Sequence, residues 1–220
     1  MSAYLGRIVA AARTPDGRPA ALYRVSSRSF PDRRAAVAPD GRAVAIAPMP
    51  GHEADVLKNP YIAYNCARLV GRRAALSNGG HTDPIAEKLA AGLPPRDALA
   101  LVLHALDYEH DGHDTPRIAV VSDLDDPAAA WLGTVRADGL CVERFELAPG
   151  ECVHLSTYGR DRPGPDSRLS GFDAGDAMDA CAWALGERGG AFADFSHPVT
   201  AVCAMAGPGG FALAARAAAE

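Results

Sequence analysis

Short apolar runs separated by Gly, Pro and Asp recur along most of the chain, a pattern typical of β-strands joined by turns. The predicted strands are Tyr4–Ala11, Leu22–Ser27, Val44–Ala47, Tyr61–Val70, Ala74–Ser77, Ile118–Val121, Trp131–Arg136, Leu140–Phe145, Val153–Thr157, Thr200–Met205 and Phe211–Ala215. Turn residues such as Thr14-Pro15-Asp16-Gly17 join neighbouring runs as hairpins, which predicts antiparallel pairing.

Helical spacing replaces this pattern in two separate regions of the chain. In the first, Asp83 is the predicted N-cap, Pro84 occupies the first helical position and Gly92 ends the helix. A second helix there is predicted to bury the face that carries Leu99, Val102, Leu103 and Leu106. The third predicted helix carries Met178, Cys181, Ala182 and Leu185 on one face.

The order of these elements predicts the fold class. No βαβ alternation and no glycine-rich phosphate-binding motif are present, which favours an α+β fold with antiparallel sheets covered by helices. Without a long linker or an internal repeat, residues 1–220 are predicted to form a single domain. The segment from Gly159 to Gly171, rich in Pro, Gly, Asp and Arg, is the predicted exposed loop.

The amino-acid composition and the net charge exclude several classes of protein. Of 220 residues, 48% are hydrophobic and 22% charged, which excludes extended disorder. The net charge of −5 argues against non-specific binding to nucleic acid or a membrane surface, and no apolar run is long enough to span a bilayer. The start of the chain does not read as a signal peptide. The five cysteines lack metal-like spacing, so we expect reduced thiols in a cytoplasm and no metal site.

Hydroxyl and guanidinium groups concentrate after the second predicted strand. Ser26, Ser27, Arg28 and Arg33 lie within eight positions. Arginine offers a bidentate fork and serine adds neutral donors, so this segment could bind a phosphate or a carboxylate. A solvated loop with surface arginines is the alternative.

Two further clusters carry candidate polar groups. Side chains alternate along a strand, which would place Tyr61 and Asn65 on the same face. That face lines either a pocket or the core. Asn78, His81 and Asp83 form a predicted turn from strand to helix, where free N–H groups suit an anion. A tight turn with an N-cap explains Asp83 equally well but leaves His81 less explained.

Glu109 is the candidate acid or base. The apolar stripe of the second helix, continued past Leu106, would place Glu109 at the buried edge of that helix. A carboxylate drawn towards the core either pairs with a cation or has a raised pKa, and a raised pKa suits acid–base catalysis. A frayed helix end with solvated charges is the alternative.

Several long strings, in this order, resemble the archaeal-type IMP cyclohydrolase family, a stand-alone enzyme that closes the purine ring. The strings are Tyr4-Leu5-Gly6-Arg7, Tyr23-Arg24-Val25-Ser26-Ser27-Arg28-Ser29-Phe30-Pro31, Asn59-Pro60-Tyr61-Ile62-Ala63-Tyr64-Asn65-Cys66, Ser77-Asn78-Gly79 with His81-Thr82-Asp83, Asp107-Tyr108-Glu109, Thr115-Pro116-Arg117-Ile118-Ala119 and Ser196-His197-Pro198-Val199-Thr200-Ala201. The resemblance implies a four-layer αββα sandwich like that of the N-terminal nucleophile hydrolases. It also implies dehydration of 5-formamidoimidazole-4-carboxamide ribonucleotide to IMP, without a cofactor or a metal.

For that reaction the candidate catalytic residues are Glu109 as proton carrier, Tyr61 as hydrogen-bond partner of the formyl oxygen, and Arg33. The candidate substrate-binding residues are Arg28, Ser26, Ser27, Asn65, Asn78, His81, Asp83 and Tyr108. The expected partner is a small nucleotide; the oligomeric state is left open, a homo-oligomer included.

Two other functions stay open at this point. If Met1 is removed, Ser2 would be the nucleophile of an amidohydrolase whose free amine acts as base. A non-catalytic nucleotide-binding module is the second alternative.

Overall fold

A computed structural model describes residues 4–189 and 192–219, and all strands within these ranges belong to two antiparallel sheets. The first sheet has the order β11 (Arg168–Ser170), β10 (Glu151–Ser156), β1 (Ile8–Arg13), β2 (Pro19–Ser26), β12 (Pro198–Gly207) and β13 (Gly210–Ala217). The second has the order β3 (Arg33–Val37), β4 (Ala43–Pro48), β5 (Tyr64–Val70), β6 (Arg73–Ser77), β7 (Arg117–Asp123), β8 (Ala129–Arg136) and β9 (Gly139–Glu146).

The described helices are α1 (Asp55–Lys58), α2 (Thr82–Ala90), α3 (Pro95–Leu106) and α4 (Ala177–Leu185), with 3₁₀ turns at Pro60–Ile62 and Pro165–Ser167. Among the described residues, no helix combines the length and the apolar character that a membrane crossing needs.

Strand β2 shows why the two sheets stack. All eight of its residues are buried, although a strand presents its side chains to opposite faces. Tyr23 and Val25 point to the core between the two sheets, whereas Leu22 points to the opposite face, where α4 packs. A strand buried on both faces must lie in the middle of a layered structure.

Helices cover the outer face of each sheet. Helix α4 packs Cys181 and Ala184 against the first sheet, and α2 and α3 pack Ile85 and Leu103 against the second. Gly133 on β8 permits this close approach, since a Cβ atom there would lie 2.7 Å from Cδ1 of Leu103. The protein is therefore α+β, with its layers in the order helix, sheet, sheet, helix.

The predicted strands are confirmed in place, with bounds that move by a few residues. The exception is the run that begins at Tyr61: Pro60–Ile62 form a 3₁₀ turn and the strand starts only at Tyr64. Alternation from Tyr61 onwards was therefore the wrong basis for placing its side chain. The edge strand Arg33–Val37 was missed because Pro31-Asp32 and the arginines resemble a loop.

Several other details were also wrong. Helix α2 begins at Thr82, so Pro84 is its third residue rather than its first. Asp83 does not cap α2, whose N-cap is His81, because its carboxylate is held by Arg68 and Asn65 instead. Leu106 is exposed rather than buried. On the predicted face of α4, Cys181 and Leu185 are buried and Met178 is exposed. The loop predicted from Gly159 to Gly171 contains the second 3₁₀ turn and the short strand β11.

Candidate active site

A cavity of about 290 Å³ opens where the start of β1 meets the end of β2. Its lining residues come from five segments of the chain: Tyr4, Gly6, Arg7, Ser26, Ser27, Arg28, Ser29, Phe30, Arg33, Asn59, Ile62, Glu109, Asp111, Gly112, His113 and Tyr158. We call it the Glu109 cavity. The topology explains its position: β1 and β2 run antiparallel, so the residues before β1 and those after β2 share one sheet edge.

Glu109 is the buried acid of this cavity, with a side chain only 1% exposed. Its Oε2 atom accepts a hydrogen bond of 3.0 Å from Nη2 of Arg7. Nη1 of Arg117 lies 3.7 Å from Oε1, too far for a hydrogen bond, and Oε1 has no partner. Burial raises the pKa of Glu109 above its ordinary value, against the opposing pull of the two guanidinium groups.

The backbone around Glu109 corrects one expectation. Helix α3 ends at Leu106, and Asp107 turns the chain with a φ of 57°. Glu109 is therefore not on a helix; its N–H donates to the carbonyl of Thr115 over 2.8 Å. The carboxylate of Asp111 accepts from the N–H and hydroxyl groups of Thr115, which closes this loop. Glu109 is thus buried as expected, but by a loop that folds back on β7.

Arg7 reaches Glu109 because the chain before β1 bends tightly at Gly6. Gly6 has a φ of +69°, and a Cβ atom there would lie 2.2 Å from Oγ1 of Thr157. Only glycine fits such a position. Burial is the largest single influence and opposes the charge of Arg7. The carboxylate of Glu109 and the hydroxyl groups of Tyr64, Tyr23 and Tyr158 together outweigh it, so the pKa of Arg7 is raised.

The predicted phosphate-binding segment lies on the same cavity. Arg28 is exposed, with its guanidinium carbon 4.1 Å from the centre of the Tyr4 ring. Ser27 turns the chain by accepting a hydrogen bond from the N–H of Phe30. Arg33 is buried and donates from Nε to the carbonyl of Phe30 over 3.0 Å, which leaves its Nη atoms for a ligand. The structure therefore brings Ser26, Ser27, Arg28 and Arg33 together with Glu109.

Tyr61 lines a neighbouring cavity. This second cavity, about 300 Å³, is formed by Pro60, Tyr61, Ala63, Tyr64, Gly80, Leu106 and Arg117. The Tyr61 ring lies 5.7 Å from the guanidinium carbon of Arg117. The guanidinium group of Arg117 therefore lies near both Glu109 and the Tyr61 ring, between the two cavities.

Asn65, Asp83 and Tyr108 do not line the Glu109 cavity. Asn65 donates to both carboxylate oxygens of Asp83, which also accepts from Arg68. Tyr108 packs its half-buried ring on His110, with 4.2 Å between ring centres.

Asn78 and His81 are fully buried behind Glu109 rather than on the cavity surface. The amide of Asn78 donates to the carbonyl of Pro116 and accepts from the N–H of Ile118. Nε2 of His81 lies 3.1 Å from the carbonyl oxygen of Ile118. Both side chains therefore fix the start of β7 in place.

Several cavity residues were missed from the sequence, above all Arg7 and Arg117, the two cations beside Glu109. Tyr158, which follows β10, was missed as well. Arg7 and Arg117 stand inside the strings that carried the family resemblance, and that was the available signal. Ser2, the alternative nucleophile, lies outside the described residues. Within the described ranges, no three His, Cys, Asp or Glu side chains converge as metal ligands would.

Comparison with known proteins shows which family the chain belongs to. A family model described as an IMP cyclohydrolase-like protein matches residues 4–210, which include every lining residue of the Glu109 cavity. The chain belongs to this family.

Individual relatives carry the same name. The IMP cyclohydrolase of Methanosphaera stadtmanae is 40% identical over 202 residues, which cover 92% of this chain and 94% of that protein. The IMP cyclohydrolase of Halobacterium salinarum is 43% identical over 201 residues, 91% of this chain and 89% of that protein. That of Methanocella arvoryzae is 48% identical over 155 residues, 70% and 74% of the two chains. The family resemblance seen in the sequence is confirmed.

Proposed function

We propose that this protein is an IMP cyclohydrolase, which closes 5-formamidoimidazole-4-carboxamide ribonucleotide to IMP with loss of water. Family membership and the names of the full-length relatives support the reaction. One observation of the structure carries the proposal: a buried carboxyl group, Glu109, shares a cavity with an arginine- and serine-rich strand end. A nucleotide needs this pairing, since its phosphate requires cations and its reacting base requires a proton carrier.

The chemistry asks for orientation and proton transfer. The carboxamide nitrogen attacks the neighbouring formyl carbon, and the carbon–oxygen bond of the former formyl group then breaks. One proton leaves the carboxamide nitrogen, one leaves the formamide nitrogen, and both end on the departing oxygen as water. Because the step is intramolecular, holding the reacting rotamer can contribute up to about 7–11 kcal/mol.

Glu109 is the proposed carrier of both protons. A carboxyl group with a raised pKa can take a proton from nitrogen and return it to oxygen near neutral pH. Arg7 holds one oxygen of the carboxyl group by a hydrogen bond, and the guanidinium group of Arg117 lies 3.7 Å from the other. Their charges also stabilise the negative charge that develops on the formyl oxygen.

Arg28, with Ser26 and Ser27 beside it, is the proposed phosphate site, and Arg33 completes it or polarises the base. Arg28 is exposed at the cavity mouth, where a strongly hydrated phosphate can reach it without full desolvation. We propose that Tyr61 hydrogen-bonds the formyl oxygen from the second cavity, beside Arg117.

We also propose that the helix–sheet–sheet–helix order is that of the N-terminal nucleophile hydrolases, used here without an N-terminal nucleophile. One core shared by both sheets supports a single functional domain. The unpaired cysteines support a cytoplasmic location.

The test is to mix purified protein with the formamido ribonucleotide and to follow IMP formation by ultraviolet absorbance. We expect turnover by the unaltered protein and by an Arg34→Ala control, whose exposed side chain lies outside the lining of the Glu109 cavity. Tight binding without turnover would identify a nucleotide-binding module instead. Turnover of an unrelated amide that disappears in Ser2→Ala would identify the amidohydrolase.

A further inference from the structure

Two buried polar atoms without a hydrogen-bond partner lie near the same point, behind the Glu109 cavity. They are Oε1 of Glu109 and Nδ1 of His81. A Cβ atom built on Gly79 would lie 3.2 Å from the first and 3.3 Å from the second. Buried polar atoms in folded proteins almost always have partners, so a pair of unpartnered ones this close together requires an explanation.

The hydrogen bond on the far side of the His81 ring determines which nitrogen carries the proton. Nε2 lies 3.1 Å from the carbonyl oxygen of Ile118, which can only accept. Nε2 therefore holds the proton, and Nδ1 presents a lone pair towards Glu109. Burial and the positive charge of Arg117 lower the pKa of His81 to about 3, so the ring stays neutral at physiological pH.

We propose that His81 is a positioning residue for Glu109, in which the lone pair on Nδ1 favours a proton on Oε1 of the carboxyl group. This inference rests on the proposed function, because it assigns the proton that Glu109 delivers. Oε1 and Nδ1 both lie within 3.3 Å of the ideal Cβ position of Gly79. In the proposed arrangement a side-chain rotation closes the remaining gap between Oε1–H and Nδ1, while Oε2 keeps its hydrogen bond from Arg7. His81 thus acts through Glu109 and does not touch the substrate.

The other charged groups around Glu109 oppose or support this effect. Arg7, ahead of β1, and Arg117, on β7, favour the ionised carboxylate, whereas Asp111, on the loop of Glu109 itself, favours the neutral form. The lone pair on Nδ1 of His81, like Asp111, favours the neutral form of Glu109. With two cations nearby, the carboxyl group needs such an acceptor to stay protonated for acid catalysis.

Gly79 keeps the space between the two side chains open. Its ideal Cβ position is 3.0 Å from Nη1 of Arg117 as well as close to Glu109 and His81. A methyl group there would push apart the atoms that the proposal brings together.

The first measurement uses the unaltered protein and does not depend on activity. Nitrogen-15 NMR of labelled histidine is expected to show His81 with protonated Nε2 and bare Nδ1 from pH 5 to 9. Carbon-13 NMR of the Glu109 carboxyl group gives its titration directly. A proton on Nδ1 of His81 would overturn the proposal whatever reaction the protein catalyses.

The second measurement compares two variants. His81→Leu removes the acceptor, so the Glu109 titration and the acid limb of the kcat profile should both move about one pH unit lower, a tenfold change in proton affinity. His81→Gln restores an acceptor oxygen and should recover most of this shift, with KM unchanged in both. Equal Glu109 titrations in a folded His81→Leu variant and the unaltered protein would overturn the proposal, even if IMP formation is confirmed. If His81→Leu does not fold, the proposal is tested by the His81 tautomer that NMR shows in the unaltered protein.

Discussion

At the scale of single residues, the two carboxylate oxygens of Glu109 have different neighbours. Oε2 is bound by Arg7, whereas Oε1 faces Arg117 and His81 without a hydrogen bond. One oxygen is therefore anchored by a hydrogen bond, and the other is free to carry a proton. A carboxyl group held in this way keeps its orientation while its charge changes, which general acid–base catalysis requires.

Glu109→Gln tests this role with little change in shape. The amide oxygen can still accept from Arg7, but glutamine cannot carry a proton between substrate atoms. We expect kcat to fall by roughly 10²-fold or more with an unaltered melting temperature. Steady-state kinetics and thermal unfolding check this, and near-normal turnover would remove Glu109 from the mechanism.

Arg28→Ala tests the phosphate site. A phosphate contact made equally in the ground state and the transition state affects binding alone, so KM should rise roughly tenfold or more while kcat stays the same. Arg34→Ala is the matched control, an exposed arginine on β3 that does not line the Glu109 cavity. A lowered kcat with an unchanged KM would place Arg28 at the reacting centre instead.

At the scale of elements, tight turns bring the ends of strands together to form the Glu109 cavity. Gly6 and Gly41 have nearly the same positive φ, +69° and +68°, but only Gly6 is enclosed by other side chains. Their comparison therefore separates backbone strain from steric overlap.

Gly6→Ala should lower the free energy of unfolding by about 2–4 kcal/mol and displace Arg7 from Glu109, because strain and overlap with Thr157 combine. Gly41→Ala should lower it by only about 1 kcal/mol, from strain alone. Urea titration of both variants measures the difference. Equal losses would mean that the Gly6 turn does not depend on close packing.

The sequence predicted helices and strands correctly where the local pattern of residues determines the structure. It failed where a residue distant in the chain determines the contacts of a side chain. The apolar run at Ile118–Val121 lies within β7 as expected, because buried strands carry their own pattern. Asp83 is a good N-cap by type, yet Arg68 on the neighbouring strand binds its carboxylate. Tyr61 follows a proline that starts a 3₁₀ turn, which alternation alone does not reveal.

At the scale of the whole molecule, the site depends on contacts between residues far apart in the chain. Arg7 and Glu109 are 102 positions apart, and no spacing rule links them. The apolar pattern before Glu109 correctly predicted that its side chain is buried. The pattern wrongly predicted a helix at this position, because Glu109 lies on a loop. Arg7 and Arg117 stand inside the strings that carried the family resemblance, but only the assembled sheets show that both lie beside Glu109.

The buried side chain of His154 makes the free energy of unfolding depend on pH in the acid range. His154 accepts from Arg160 and contacts the carbonyl of Ser167, and burial lowers its pKa from 6.5 to about 4. The unfolded chain takes up a proton below pH 6.5, whereas the folded chain does not until about pH 4. The stability from neutral His154 is therefore complete above pH 6.5 and is lost as the pH falls to about 4.

We expect this loss to be about 3 kcal/mol and to be absent in His154→Gln, which keeps a donor and an acceptor but does not titrate. Urea unfolding of both proteins at pH 7, 5 and 4 measures it. Identical pH dependences would show that His154 does not stay neutral in the fold.

The central claim is that the nucleotide binds in the Glu109 cavity, with its phosphate at the strand end and its base at the buried acid. A crystal structure with bound IMP tests this most directly. We expect the phosphate within hydrogen-bond distance of Arg28 or Ser27 and the six-membered ring of the purine beside Glu109. A purine ring bound away from Glu109 would contradict the account.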